Sequence, residues 1–500
     1  MTGNSPTTER VSSLLDGRDL VVVSNREPYS HEYEDGEVTV NRPAGGLTSA
    51  LDPVMQSVGG TWVAWGSGDA DDAVTDEDGR VGVPPESPAY TLRRVPLSDE
   101  RIEGYYYGYS NQVLWPVCHL DTAKMNVRGE FWQQYREANR AFADAACEQA
   151  GDDPVVWFQD YHLALAPRLV KADRPEAFCM QFWHIPWPSR DAFRACPQYE
   201  QLLKGLLGND LVGVHTDAYC RNFLDCAAAL PGATVDRATR SVVYDGHRTF
   251  VRPFPLGVDA GRHRDLAGSD DATRFWREFG DRHDLDDVAV ALGVERLDYT
   301  KGIPERLAAL ERLWETRPEW RGELTYVQKA SESRSEIPAY RRLQERVRSE
   351  VERVNDRFAT EDWQPIVYVE DHLPQAGLAA LYREADLCLV SALRDGMNLV
   401  AKEFIASQTQ DPGVLLLSEL TGANEELGEE ALTIHPRDRQ AFADAIDRGL
   451  RLPADDRRRR IGELQRQVHA SDVYSWLNAQ FRTVRAIRRG RERATPPRGR

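Results

Sequence analysis

Short apolar runs of strand length alternate with helical stretches along nearly the whole chain of 500 residues. The series begins with an apolar run at 20–23, and it restarts at 288–294 after a segment rich in proline and glycine at 251–263. Strand–helix–strand repeats favour parallel pairing, so this alternation predicts an α/β fold. Two such series predict two doubly wound, Rossmann-like domains with an active site in the cleft between them.

The length supports two domains, because single hydrophobic cores stop growing beyond roughly 250–300 residues. We expect a disordered tail at 1–18, a first domain at 19–254 and a second at 255–470. A helix at 471–489 is expected to pack back on the first domain, ahead of a disordered basic tail at 490–500.

Composition disfavours several classes of partner and cofactor. A net charge of -18 argues against nucleic acid, whose phosphates need a basic surface. The seven cysteines contain no CxxC pair, so neither a disulfide framework nor a zinc site is expected. No cofactor is expected either. With no apolar run of about 18 residues, no membrane span is expected and a cytoplasmic protein is favoured. Lysine occurs at only six positions, and whether this acidic composition reflects a high-salt cytoplasm stays open.

The stretch 391–404, SALRDGMNLVAKEF, is a candidate binding site. An apolar strand stops before it, the chain turns through Asp395-Gly396, and a helix begins after Asn398. Backbone N–H groups from Gly396 to Val400 collect at the start of that helix, where the dipole favours a phosphate. Glu403 is placed to accept hydrogen bonds from a ribose diol, and Asp395 from a sugar. The alternative is an ordinary Asp-Gly turn with a glutamate that complements the helix dipole.

Polar residues also follow other predicted strands. Arg26, Asp160 and His184 each come at the end of an apolar run in the first half, where open α/β sheets bind ligands. Arg296 and Lys301 follow the first strand of the second half and suit a diphosphate. The alternatives are a histidine satisfied within the core and an ion pair of Arg296 with Glu295 or Asp298.

Two further features suit a sugar phosphate. Gly45 and Gly46 open a helix in PAGGL and offer a second anion-binding start. Trp65, Tyr106 and Trp115 stand among Gly, Ser and Asn, and this turn-rich context fits a sugar-binding rim with aromatic faces. Aromatic residues this dense are also typical of a core.

Several long strings occur together: AGGL, SNQVLWP, FQDYHLAL, HIPWPS, ERLDYTKG and LRDGMNLVAKEF. Together they resemble the trehalose-6-phosphate synthase family, which are retaining glycosyltransferases of the GT-B fold, over about residues 19–485. The resemblance implies glucose transfer from a nucleoside diphosphate glucose, normally UDP-glucose, to glucose 6-phosphate, with retention at the anomeric carbon and without a metal. It implies no protein nucleophile, since the departing diphosphate assists deprotonation of the acceptor hydroxyl.

The resemblance also implies a role for each matching residue. On the donor side these are Arg296 and Lys301 for the diphosphate, the backbone of Gly396, Met397, Asn398, Leu399 and Val400 for phosphate, Glu403 for ribose, Asp395 and His184 for the transferring glucose, and Gly45 and Gly46 for the turn between the substrates. On the acceptor side they are Arg26 and Arg334 for the sugar phosphate, with Trp65, Tyr106, Trp115 and Asp160 lining its ring. The residues at the reaction centre are Asp160, His184, Arg296, Lys301 and Asp395.

Two other functions compete with this one. The segment after Arg26, with TWVAW and LRRVPL, is also similar to glucosylglycerol-phosphate synthase, which uses glycerol 3-phosphate. The AGGL turn, Arg334 and the ring-lining aromatics favour glucose 6-phosphate instead. A catalytically silent relative is expected to lack Arg296, Lys301, Asp395 or Glu403, and all four are present. The donor base stays open, and so does a homo-oligomer.

Overall fold

The computed structural model describes residues 11, 13–42, 46–409 and 411–494. The chain divides into two compact units. The first unit comprises the residues up to Pro255 together with those from Val473 onward, and the second unit is Leu256–Asp472. Each unit is an α/β structure, as the alternating sequence predicts.

In the first unit, the sheet and a separate hairpin contain twelve strands within the described residues. They are β1 (Leu20–Arg26), β2 (Ser30–Glu34), β3 (Glu37–Asn41), β4 (Thr61–Trp65), β5 (Arg80–Val83), β6 (Tyr90–Val95), β7 (Val155–Gln159), β8 (Phe178–Phe182), β9 (Leu211–Val214), β10 (Thr234–Asp236), β11 (Ser241–Tyr244) and β12 (His247–Pro253). The β2–β3 hairpin falls in the polar excursion that follows Arg26.

The first sheet reverses its direction of growth beside β1. Its order is β10-β11-β12-β9-β8-β7-β1-β4-β6-β5. The pairs from β12 across to β6 are parallel, and β10, β11 and β5 add antiparallel edges. From β1 the chain builds outward through β4 and β6 and then returns to build the other side from β7. The loops after β1 and β7 therefore flank the switch point, where open α/β sheets bind ligands.

Several helices of the first unit are only four residues long. The helices are α1 (Gly46–Val58), α2 (Asp71–Val74), α3 (Asp99–Ile102), a π-helix (Glu103–Leu114), α4 (Trp115–Cys118), α5 (Gly129–Gln149), α6 (Ala166–Asp173), α7 (Arg190–Phe193), α8 (Tyr199–Leu206) and α9 (Asp217–Ala228), with 3₁₀ turns at Thr122–Lys124 and Tyr161–Leu163.

The second unit contains a six-stranded parallel sheet within its described residues. Its strands are β13 (Ala289–Arg296), β14 (Leu324–Ser331), β15 (Ile366–Val369), β16 (Leu387–Val390), β17 (Val414–Ser418) and β18 (Leu432–Ile434). Their order, β15-β14-β13-β16-β17-β18, is the doubly wound order, with its switch point between β13 and β16.

Helices cover both faces of this second sheet. They are α10 (Ala260–Ala267), α11 (Asp270–His283), α12 (Ile303–Thr316), α13 (Pro338–Phe358), α14 (Gln375–Glu384), α15 (Leu399–Ser407), α16 (Asn424–Leu427), α17 (Arg439–Leu450) and α18 (Ala454–Ala470), with a 3₁₀ turn at Pro318–Trp320. One apolar core includes Leu310 and Val347, and a second includes Leu381 and Phe404. Burial on both faces explains why most positions of these strands are apolar.

The last helix, α19 (Val473–Ala494), belongs to the first unit. Its Trp476 ring lies 5.6 Å from that of Trp157 in β7. The helix continues to Ala494, so residues 490–494 of the expected disordered tail are helical instead. Residues 495–500 lie outside the described residues.

Other expectations need correction as well. The aromatic stretch 103–116 is helical rather than turn-rich, because it forms the π-helix and the start of α4. Val11 and Leu15 are buried, so the expected tail at 1–18 is ordered at least there, while residues 1–10 are outside the described part. Residues 251–253 end β12, and the division between the two units, after Pro255, falls within the proline- and glycine-rich segment 251–263. Among the described residues, no helix has the length and apolar character to cross a membrane.

Candidate active site

Three loops meet at one edge of the second sheet. In register, Arg296 at the end of β13 stands beside Ser331 at the end of β14, and β16 pairs with β13 on its other side. All of these strands are parallel, so the residues that follow them come out at the same edge. Those residues include Lys301, Arg334 and Asp395, which lie far apart in the sequence.

The Asp395 carboxylate is held from several directions. Lys301 Nζ donates to Asp395 Oδ2 at 2.6 Å, and both side chains are about 15% exposed. The Asn398 amide also donates to Oδ2, at 3.1 Å, and the backbone N–H of Gly396 donates to Oδ1 at 2.9 Å. An ammonium and a carboxylate that neutralise each other in a half-buried site are preorganised to meet a substrate with both charged and hydroxyl groups.

Asn398 caps the helix α15. Its backbone has φ 88°, and its side-chain oxygen accepts from the N–H of Ala401 at 3.1 Å. Leu399 and Val400 form the first turn, where amide groups have no acceptor within the helix. Met397 is buried just before the cap. The strand, tight turn and helix start predicted for 391–404 are therefore present, and their dipole favours an anion here.

Glu403 lies one turn further along α15, and its orientation is fixed by a tyrosine. The hydroxyl of Tyr382 donates to Glu403 Oε2 at 2.9 Å. Burial, together with the Glu403 charge, raises the pKa of Tyr382 well above its ordinary value, so the tyrosine stays a donor. This contact occupies one of the two carboxylate oxygens of Glu403.

Lys402, beside Glu403, was missed by sequence reasoning. Its buried ammonium donates to the carbonyl of Leu256 at 2.8 Å and to Glu426 at 2.5 Å. Burial lowers its pKa, while Glu426 opposes that effect. The signal was available, because a lysine is rare in a chain that uses arginine almost everywhere.

Asp298 connects the loops after β13 and β14. Its Oδ2 accepts from Arg334 Nη1 at 3.3 Å and from the hydroxyl of Tyr340 at 3.1 Å. Burial alone raises the pKa of Asp298, but the charges of Arg334, Arg296 and Lys301 outweigh it and keep the pKa below its ordinary value. The sequence offers Glu295 and Asp298 as partners for Arg296. The charge of Arg296 acts on Asp298, whereas Glu295 accepts a hydrogen bond from Arg306 at 2.5 Å.

Arg306 is a buried cation beneath this edge. Besides Glu295, it donates to Ser391 Oγ at 3.0 Å and to the hydroxyl of Tyr326 at 2.8 Å. A Cβ at Gly293 would lie 2.1 Å from Arg306 Nη1, so the absence of a side chain there makes room for the guanidinium. The network ties the end of β13 to Ser391, which starts the loop carrying Asp395.

In the first unit, Arg26 stands at the end of β1 among aromatic rings. Arg26 Nη2 donates to the hydroxyl of Tyr106 at 3.0 Å, and its guanidinium lies 6.0 Å from that ring. The rings of Trp65 and Tyr106 are 6.1 Å apart. The structure therefore brings together a cation and two aromatic rings that are spread over 80 positions of the sequence.

Trp115 is linked to this group through other rings. It is buried 5.9 Å from Tyr161, which stacks on His162 at 4.0 Å. His162 in turn stacks on Tyr106 at 5.8 Å. The chain of ring contacts makes the aromatic cluster stiff, which suits a rim that must keep its shape.

Asp160 and His184 follow β7 and β8 and touch each other. Asp160 Oδ1 accepts from the backbone N–H of His184 at 3.2 Å, and the left-handed backbone of Asp160, with φ 65°, turns the chain sharply after β7. The His184 ring contacts Gln159 Oε1 at 3.0 Å through Nε2. Burial, with His215 and His162 nearby, holds the pKa of His184 well below its ordinary value, so the imidazole is neutral.

The glycine pair is described only in part. Gly46 begins α1, as the predicted helix start requires, whereas Gly45 lies outside the described residues. Among the residues that the structure does describe, no group of three or more His, Cys, Asp or Glu side chains is arranged to hold a metal ion.

A buried polar cluster next to Arg26 was not foreseen. Arg94 donates to Glu27 Oε2 at 2.8 Å and pairs with Asp71 Oδ1 at 2.7 Å. The His31 ring joins Arg94 at 2.8 Å. Asp71 comes from the Asp-rich segment 68–79. The cluster holds the side chain of Glu27, which directly follows Arg26.

Comparison with known proteins places the chain. Residues 18–486 match glycosyltransferase family 20. The chain belongs to this family. The resemblance predicted from the motifs is thereby confirmed.

Relatives in family 20 extend over almost the whole chain. A trehalose-6-phosphate synthase from Mycobacterium sp. (strain KMS) is 37% identical over 484 residues, which cover 94% of this chain and 96% of the relative. A bifunctional trehalose-6-phosphate synthase/phosphatase from Thermoproteus tenax is 37% identical over 478 residues. The match spans 91% of this chain but only 62% of that longer relative.

Solved structures show the same fold. A structure from E. coli with UDP-2-fluoro glucose bound has a TM-score of 0.84 and 31% identity, covering 93% of this chain and 99% of that one. An α,α-trehalose-phosphate synthase from Burkholderia xenovorans in complex with glucose-6-phosphate has a TM-score of 0.83 and 30% identity, with the same coverage. The predicted fold class, two α/β units with parallel sheets in the manner of GT-B enzymes, is confirmed.

Proposed function

We propose that this chain is an α,α-trehalose-6-phosphate synthase, which transfers glucose with retention from a nucleoside diphosphate glucose to glucose 6-phosphate. The observation that carries the proposal is the Lys301–Asp395 pair, held at the switch point of the second sheet beside the capped start of α15. Family membership supports the same reaction class.

The donor is proposed to bind along the carboxyl edge of the second sheet. The diphosphate lies on Arg296, on Lys301 and on the first-turn amides of α15. Glu403 accepts from the ribose diol through Oε1, because Tyr382 already occupies Oε2. Each charge contact at about 4 Å is worth on the order of 4 kcal/mol at an effective dielectric of 20, before desolvation.

The acceptor is proposed to bind through arginine, aromatic and carboxylate side chains. Arg26 and Arg334 hold its phosphate, and a guanidinium fork matches phosphate oxygens in pairs. Trp65 and Tyr106 cover a face of the ring, with Trp115 behind them. Asp160 accepts from a ring hydroxyl. Burying this much aromatic surface suits a hexose better than the shorter glycerol 3-phosphate.

The chemical step needs no nucleophile from the chain. The bond from the anomeric carbon to the diphosphate oxygen breaks, and a bond to the acceptor hydroxyl oxygen forms on the same face. The hydroxyl proton passes to the departing diphosphate. Asp395 and neutral His184 orient the glucose, and Arg296 with Lys301 stabilise the charge that develops on the leaving group.

The test is nucleotide diphosphate release with each acceptor supplied separately. UDP-glucose with glucose 6-phosphate is expected to release UDP and to form a phosphorylated non-reducing disaccharide with both anomeric centres α, as read by NMR. Release with glycerol 3-phosphate alone would refute the acceptor assignment, and release with neither would refute the synthase. Replacing UDP-glucose by ADP-glucose or GDP-glucose identifies the preferred base.

A further inference from the structure

The carboxylate of Asp298 is a shared anchor for two loops that carry different phosphate-binding cations. The side chain is fully buried, and four donors fill its two oxygens. Because both oxygens accept hydrogen bonds, the carboxylate cannot rotate toward one loop without losing its hydrogen bonds to the other loop.

One oxygen shapes the loop after β13. Asp298 Oδ1 accepts from both the backbone N–H and the hydroxyl of Thr300, each at 2.9 Å. The backbone carbonyl of Asp298 accepts from the N–H of Lys301 at 3.0 Å. These contacts form a side-chain-capped turn that sets the direction in which Lys301 leaves the sheet.

The other oxygen holds the loop after β14. Arg334 Nη1 reaches Asp298 Oδ2 at 3.3 Å and the Tyr340 hydroxyl at 2.7 Å, and its guanidinium lies 5.6 Å from the Tyr340 ring. The Arg334 backbone has φ 51°, a left-handed conformation that is costly for a residue with a side chain. A strained backbone persists only where its surroundings hold it, and here they do so through Asp298 and Tyr340.

The two loops also meet directly through the backbone. The N–H of Leu297 donates to the carbonyl of Ser331 at 2.7 Å, which extends the β13–β14 pairing to the point where both loops begin. Asp298 is the first residue beyond this contact. A movement of either loop is therefore transmitted to a carboxylate that the other loop also uses.

We propose that Asp298 is a positioning residue that couples the donor-phosphate cation Lys301 to the acceptor-phosphate cation Arg334. The inference rests on the proposed function and adds to it. The donor and the acceptor do not bind independently, because the same carboxylate presets the cation that receives each of them. A buried charge-assisted hydrogen bond is strong enough for its loss to change kcat/KM about 10- to 100-fold.

Three variants separate the two halves of the anchor. Tyr340→Phe removes one donor on the Arg334 side and is expected to raise the KM for glucose 6-phosphate about threefold or more, with a smaller rise in the donor KM through the shared carboxylate. Thr300→Val removes the hydroxyl on the Lys301 side and is expected to raise the donor KM or lower kcat, with a smaller rise in the acceptor KM through the shared carboxylate. Asp298→Asn is expected to affect both substrates and to lower kcat/KM about 10- to 100-fold.

Asp386→Asn is the matched control for a merely structural role. Asp386 also bridges two elements of this unit, since it accepts from the N–H of Val290 at 2.9 Å and from Arg457 at 3.4 Å. It precedes β16 and so lies at the opposite edge of the sheet. This variant is expected to lower Tm without changing either KM.

The decisive measurement is the pair of Michaelis constants and kcat for each variant of the full-length protein, with Tm measured alongside. Asp298→Asn with both Michaelis constants and kcat within twofold of the wild type would overturn the inference. If Asp298→Asn does not fold, the Thr300→Val/Tyr340→Phe double variant is measured instead. For coupled sites, its fold-change in kcat/KM differs from the product of the two single fold-changes. A fold-change equal to that product would refute the coupling. A wild type that releases no UDP would instead refute the proposed function.

Discussion

Lys301 Nζ and Asp395 Oδ2 lie 2.6 Å apart although 94 positions separate the two residues in the chain. The relationship exists because β13 and β16 are neighbours at the point where the doubly wound sheet reverses. Each residue follows its strand through a short loop, and both loops emerge at the same edge. The pair is therefore a product of topology, and it is the natural place to test the site.

Replacing Lys301 by alanine is expected to lower kcat by about 100-fold or more with a smaller change in KM, because the lost cation acts mostly on the departing diphosphate. The measurement is steady-state UDP release over a range of both substrates. Lys124→Ala is the matched control, since Lys124 pairs with Asp121 on the surface and is expected to leave kcat unchanged. A Lys301→Ala variant with the wild-type kcat would remove Lys301 from the leaving-group role.

Arg26→Ala is expected to raise the KM for glucose 6-phosphate about tenfold or more while the donor KM stays near its wild-type value. The reason is that Arg26 is the cation packed against Tyr106, among the proposed ring-lining groups. Arg346→Ala, which removes an exposed ion pair with Glu350, serves as the control. An Arg26→Ala variant that loses donor binding and keeps its acceptor KM would contradict the acceptor assignment.

Glu27 is expected to make stability depend on pH. Burial, with the neighbouring Asp71 carboxylate, raises the pKa of Glu27 to about 8, and Arg94 opposes the rise. Because the pKa in the folded state is above that in the unfolded chain, this contribution to stability is complete at acidic pH and is lost as pH rises through about 8.

The measurement for Glu27 is the free energy of unfolding of the wild type and of Glu27→Gln between pH 5 and 9, with Asp71, Arg94 and His31 left intact. As pH rises, the free energy of unfolding of the wild type is expected to fall relative to that of Glu27→Gln, by about 1 kcal/mol per pH unit. Parallel curves would mean that Glu27 is ionised in the folded protein and simply paired with Arg94.

Gly293→Ala is expected to destabilise the second unit by about 1–3 kcal/mol, since the added Cβ would meet Arg306 Nη1 at 2.1 Å and the Tyr326 hydroxyl at 2.3 Å. Gly462→Ala is the matched control. Gly462 lies in α18 with no atom within 4 Å of an added Cβ, so alanine there is expected to stabilise by about 0.5–1 kcal/mol. Equal Tm shifts of the two variants would show that Arg306 does not need the space.

The fold was predictable because its signals are local and repeated. Strands of the second sheet such as β16 (LCLV) and β15 (IVYV) are short apolar runs, and the turn at Asp395 with the helix after Asn398 reads directly from residue types. The π-helix at Glu103–Leu114 was not predictable in this way. Its glycines, serine and asparagine suggest turns, while the burial that makes them helical comes from packing against α5.

The partners of charged residues were the least predictable part of the candidate site. The sequence offers Glu295 and Asp298 as neighbours of Arg296, yet Glu295 turns to Arg306 and Asp298 to Arg334. Such choices depend on which strands are adjacent, and no local pattern encodes them. For the same reason the Arg94–Asp71 ion pair could not be predicted from the sequence. The two residues meet only when β6 packs against the segment after β4.

The sparse use of lysine has a consequence for covalent chemistry on this protein. All six lysines lie in the described part, and only Lys124 and Lys204 expose more than a third of the side chain. Among the lysines, amine-directed labels and cross-linkers will therefore attach chiefly at those two positions, both in the first unit. A fluorophore or a solid support can be placed there without touching Lys301 or Lys402, whose amines are held in ion pairs.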